Sequence, residues 1–120
     1  MSITFKLEGV DGMMAQLRSA EDDVRKEYKG LVKRTTKRIR DDAVARVNRV
    51  TGNLADSAQI EESSGGYYGR VRFKAPHAHL VEHGTVHAPA HPFLGPASAA
   101  AEFGFYQEAE RILKDQGDDS

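Results

Sequence analysis

The chain has 120 residues, 39% of them hydrophobic and 29% charged, with a net charge of −1 and no cysteine. That is one domain of ordinary size with a modest core; it excludes a disulfide framework, a thiolate zinc site and a cysteine nucleophile. No apolar run approaches the roughly 18 residues of a membrane span, and Met1–Lys6 carries no basic region followed by an apolar core, so neither a membrane partner nor a signal peptide is expected.

The charge is unevenly placed. Between Arg25 and Arg49 stand ten Lys and Arg against three acids, a segment of +7, which leaves −8 for the rest. The acids gather at Glu21-Asp22-Asp23, at Glu61-Glu62 and from Asp115 to Asp119. So polarised a chain is suited to meeting a charged surface.

In chain order, residues 2–8 alternate, with Ile3, Phe5 and Leu7 on one side, and read as a half-buried strand. Asp11 is a plausible helix cap after a Gly9–Gly12 turn. Met13, Leu17, Val24, Tyr28, Leu31, Thr35, Ile39 and Val47 then recur at three- to four-residue steps. They predict one long helix over about 11–49, or two with a bend near Gly30. Its polar side carries a basic stripe of Lys26, Lys29, Lys33, Lys37 and Arg40. The helix should end near Gly52, in the left-handed conformation that glycine allows.

Leu54 to Ser57 reads as a short turn, and 58–62 with 67–75 as a β-hairpin across the loop Ser63-Ser64-Gly65-Gly66. Pro76 stops the second strand. His77–His83 reads as one or two turns of helix closed by Gly84, and Thr85–Pro92 as an extended loop. Gly95 to about Lys114 reads as a C-terminal helix weakened at Gly104. The expected fold is α+β, a small antiparallel or mixed sheet packed on the long helix and the C-terminal helix. Residues 1–114 form one domain, and 115–120 form an acidic tail.

Chemistry concentrates where the histidines do. All five lie between 77 and 91, and His79-Leu80-Val81-Glu82-His83 fits H-x-x-E-H, an inverted zinc-peptidase pattern. There, His79 and His83 would hold zinc and Glu82 would activate the bound water. Against it, two turns of helix are a thin platform, no third ligand is recognisable, and the domain leaves little room for a substrate cleft. The expectation is no metal and no cofactor, with the imidazoles partly exposed on a loop. Serines 57, 63 and 64 lack a nucleophile-elbow context, and the paired carboxylates Glu61-Glu62 and Asp41-Asp42 read as solvated surface. No DNA-reading motif appears, although the basic stripe permits loose, salt-dependent phosphate contact.

Two blocks carry a family resemblance. The first is Val50-Thr51-Gly52-Asn53-Leu54-Ala55-Asp56-Ser57, T-G-x-L-x-x-S after a long helix. The second is A-P-x-A-x-x-V-E-x-G-T over 75–85, followed by P-F-L-x-P-A over 92–97. Both, in this order, resemble the small tail-component proteins of long-tailed bacteriophages, which complete the tail or join it to the head. His83 stands where an aromatic residue is common, and Arg49-Val50 replaces a common proline.

The resemblance implies a structural, non-enzymatic virion protein at the neck. It implies a homo-oligomeric, hexameric ring beside the tail terminator or tube and the head-completion or connector proteins, made in the host cytoplasm. It assigns scaffold or interface roles to Thr51, Gly52, Leu54, Val81, Glu82, Gly84, Thr85, Pro92, Phe93 and Pro96. Physically, Gly84 supplies a sharp turn, Thr85 bonds local backbone, and Glu82 accepts from loop amides or a neighbour's arginine. Phe93 and Leu94 plug the loop onto the core. The basic stripe would face an acidic neighbouring subunit or DNA in the channel.

Overall fold

The computed structural model describes residues 3–8, 11–47, 52–62 and 65–117. The order is β1 (Ile3–Glu8), α1 (Asp11–Arg18), α2 (Asp22–Val47), α3 (Gly52–Asp56), β2 (Ala58–Glu62), β3 (Tyr68–Phe73), α4 (Ala78–His83) and α5 (Leu94–Gly117). The fold is α+β, as expected. Thr51 and Arg49 lie outside the described residues, and with them part of the first family block.

The sheet is antiparallel in the order β1-β3-β2. Register pairs Ile3 with Phe73, Phe5 with Val71 and Leu7 with Gly69. On the other side it pairs Ala58 with Phe73 and Ile60 with Val71. The apolar residues of β2 and β3 therefore share one face. Along β3 the buried positions are Gly69, Val71 and Phe73, and the outer ones Tyr68, Arg70 and Arg72 stay half-exposed.

Helix α2 lies on the inner face and comes close to the sheet at Gly69. A Cβ there would stand 2.1 Å from Oγ1 of Thr36, whose hydroxyl donates to the Val32 carbonyl at 2.6 Å. Glycine in mid-strand weakens a sheet, and here it lets a helix come close. Further along, the Lys29 stem lies against Gly66, and its ammonium sits 4.9 Å from the centre of the Tyr67 ring.

An adjoining side of α2 packs against α5. Tyr28 joins both, its ring centre 6.5 Å from Tyr67 and 6.1 Å from Phe105. At the far end of the core, Phe73 meets Phe93 edge-on at 4.8 Å, a favoured aromatic geometry. The α2–α5 contact is tied at the surface by Arg111 to Glu27, 3.5 Å. The whole is elongated, 60 × 23 × 21 Å, with a radius of gyration of 16.4 Å. About 13.6 Å is usual for this length. No helix among the described residues is long and apolar enough to cross a membrane.

The main differences from the sequence reading lie at the helix boundaries, with β3 also shorter, 68–73 against 67–75, and α5 beginning at Leu94. The long helix breaks at 19–21 and runs straight through Gly30. Ser19 turns its hydroxyl back to the Gln16 carbonyl at 3.3 Å, and Glu21 offers its carbonyl to the Arg25 amide at 3.1 Å, starting α2. Asp22 and Asp23 then fill the first turn, where the helix dipole favours acids. Gly52 opens α3 as a helical residue; among the described residues only Gly66 and Gly84 have positive φ. Leu54–Ser57 is thus mostly helix, ended by Ser57, whose amide and hydroxyl both donate to the Leu54 carbonyl at 3.2 and 2.7 Å. Finally, α5 runs to Gly117, past the boundary expected at Lys114, since Asp115 and Gln116 contain no helix breaker.

Candidate functional site: the Glu82 clamp and the α2 surface

The second family block folds around one carboxylate. Glu82 sits on α4, 8% exposed, and faces the start of α5. Its Oε1 accepts from the Phe93 amide at 3.0 Å and the Leu94 amide at 2.8 Å, and its Oε2 from the Gly95 amide at 3.0 Å. The Phe93 carbonyl takes the first helical bond, from Ala97 at 3.4 Å, so Phe93 is the cap residue of α5. A helix leaves its first four amides without internal partners. Here three are held by Glu82, and the fourth position is Pro96, which has no N–H to satisfy. The carboxylate also meets the positive end of the helix dipole.

The chain between the two halves is tied at its root. Gly84 donates to the Leu80 carbonyl at 2.7 Å, and His91 donates to the Val81 carbonyl at 2.8 Å. Gly84 has φ +79°, and a Cβ there would lie 2.7 Å from the Ala90 nitrogen, so only glycine turns the corner. Thr85 donates its amide to the Ala88 carbonyl at 2.8 Å and accepts on Oγ1 from His87 and Ala88 at 3.1 and 3.0 Å. Beyond this anchor residues 85–92 are exposed, Val86 at 96%.

Of the expected site residues, Val81, Glu82, Gly84, Thr85, Pro92, Phe93 and Pro96 thus come together in one clamp. Phe93 is fully buried, Val81 packs against the core, and Pro92 stays exposed. Leu54 and Gly52 lie apart from it; Leu54 is a fully buried core residue. Ser57 extends that block to the sheet by accepting the Lys74 amide at 3.2 Å.

The clamp also decides what H-x-x-E-H can do. Both oxygens of Glu82 are taken by backbone amides, so it is not free to activate a water. His79 is half-buried and His83 exposed, and no group of three His, Cys, Asp or Glu side chains able to hold a metal occurs among the described residues.

The basic stripe divides in two. Lys29 is engaged with Tyr67, and Arg40 donates to Asp41 at 3.0 and 2.8 Å. Lys26, Lys33 and Lys37 are exposed and form no ion pair among the described residues. Arg34 and Arg38 are exposed and likewise unpaired there, on the side of α2 toward α5. The sequence reading counted them among the cations and missed their separate position, which needs the place of α5 to be known.

Compared with known proteins, residues 11–84 match the family model described as "Bacteriophage HK97-gp10, putative tail-component". The chain belongs to this family. The match takes in α1, α2, the hairpin and α4 with Glu82 and Gly84; the carboxylate's partners on α5 follow it in sequence. No curated protein and no solved structure matches the chain.

Proposed function

We propose that this tail-component family member is a structural protein of the phage neck. Copies of it form a ring, hexameric in our reading, that completes the head-proximal end of the tail and joins it to the head connector. The observation that carries the reading is the family match over 11–84. The surface agrees with it: α2 presents three lysines that are unpaired among the described residues, while acids stand exposed on other elements, at Asp56, Glu62 and Glu110. Ring closure needs one face of each subunit to dock a different face of the next, and such polarity supplies two different faces. The role is binding, and the clamp serves as scaffold for it. Lys26, Lys33 and Lys37 that are not covered by a neighbour would contact channel DNA without sequence preference. The partners are other tail and neck proteins, in a virion assembled in the host cytoplasm.

Imaging of purified particles by electron microscopy, with no symmetry imposed at the neck, tests this. A ring of this chain between portal and tail tube is the expected result. Particles that lack the chain overturn the neck assignment. Reversing charge at Lys33 and Lys37 should block assembly, and normal virions from that variant would remove the electrostatic part.

A further inference from the structure

Along the seam of α2 and α5 runs a groove of about 290 Å³. Leu31 and Thr35 of α2 and Phe105 of α5 form its floor, all buried. Arg34 and Arg38, one turn apart on α2, form one wall. Ala100 and Gly104 form the other, and a Cβ on Gly104 would meet nothing within 4 Å. Glu108 stands at its border with its carboxylate already held by Arg111.

The next residue along α5 is of the opposite kind. Phe103 is 71% exposed, a bare phenyl ring beside Gly104. Residues two apart point to nearly opposite sides of a helix, so Phe105 is in the core and Phe103 is in water. Seven residues on, two turns along the same face, Glu110 is exposed and unpaired among the described residues.

We propose that the groove is the seat for Phe103 of a second copy of this chain. Size permits it: about 150 Å³ suffices to take up a benzene molecule, and the groove has nearly twice that. Chemistry favours it, because an apolar floor meets the ring and guanidinium groups lie favourably over an aromatic face. Charge agrees, because the Phe103 face brings Glu110 toward a wall made of two arginines that are unpaired among the described residues. Ring and groove occupy neighbouring sectors of one helix, so every copy carries both halves. One copy's ring in the next copy's groove is a head-to-tail contact, which repeats until it closes. The inference rests on the ring reading for its setting.

The test replaces Phe103 with the photo-cross-linker p-benzoylphenylalanine. Light and isotopically heavy chains are mixed at high concentration, irradiated, and the linked peptides sequenced by mass spectrometry; particles assembled with the same variant are irradiated in parallel. Light–heavy links from position 103 onto peptides spanning 31–38 and 100–108 are expected. Gly104→Leu, whose Cβ meets nothing within 4 Å and whose side chain occupies the groove above its floor, should lower their yield at least tenfold with an unchanged circular dichroism spectrum. Phe103→Ser should weaken self-association at least tenfold by sedimentation. Links confined to single chains in both settings, links onto other elements or other proteins, or a yield indifferent to Gly104→Leu each overturn the seat. A neck ring whose links run elsewhere overturns the seat alone, and links in the groove without a neck ring overturn only the location.

Discussion

Removal of the Glu82 carboxylate by Glu82→Ala should be the most damaging polar substitution in the molecule. It deprives three amides of their acceptor, two of them on the buried residues Phe93 and Leu94. An unsatisfied buried donor costs about 1–3 kcal/mol, and loss of a helix cap by itself about 1. The Gly95 amide lies on an exposed residue and finds water. The expected loss is about 3–5 kcal/mol, a large share of the roughly 6–18 kcal/mol usual for a chain of this length. At about 4 °C per kcal/mol for this size, Tm should fall by about 12–20 °C. Glu82→Gln keeps the shape and an acceptor oxygen and should lose about 1–2 kcal/mol. Glu82→Asp keeps the charge but draws it back by one carbon–carbon bond, about 1.5 Å, and should behave more like Ala than like Gln. Urea unfolding of the three variants gives the ranking. A Glu82→Ala loss under 1 kcal/mol, or an aspartate as stable as the parent, would refute the clamp.

Three further substitutions probe the frame. Gly84→Ala meets both a positive φ and the Ala90 nitrogen at 2.7 Å, and should cost more than about 2 kcal/mol by chemical denaturation; a neutral result would mean the loop root relaxes freely. Gly69→Ala should destabilise strongly by driving Thr36 off the sheet, and Thr36→Ala in the same chain should restore part of the loss, since Cβ of residue 36 remains 3.0 Å away. Additive effects in that double-mutant cycle would contradict the contact. Phe93→Ala empties a fully buried site against Phe73 and should cost about 3–5 kcal/mol in the same assay.

How much of this could be read from residues alone depends on distance along the chain. The hairpin was legible because the alternation at 67–75 is local and 58–62 stands just across a short Ser-Gly loop from it. The acceptor role of Glu82 was legible in kind, because a carboxylate before a glycine corner and a proline-rich loop has amides within reach. Its three partners were not, because they lie 11 to 13 residues on. Gly30 misled because a glycine in a long helix suggests a bend. Here it leaves room for Arg34, whose Nη1 would stand 3.3 Å from a Cβ at that position. The break fell instead where Ser19 and Glu21 offer backbone partners. Gly69 and Phe103 were invisible for one reason: their meaning depends on which neighbour covers them, or on none doing so.

The elongated outline has a thermodynamic consequence. A monomer of 13.2 kDa ordinarily exposes about 6,400 Å², whereas this chain exposes 7398 Å². The surplus, about 1,000 Å², is comparable to the 800 Å² or so that one partner contributes to an ordinary protein interface. A thin molecule withdraws less of itself from water on folding, so its native state is held by a shallower well. Any partner that binds the folded form alone deepens that well by an amount that grows with the logarithm of its concentration over its dissociation constant. For a domain of this shape, the midpoint of thermal unfolding is therefore a property of the company it keeps as much as of its sequence.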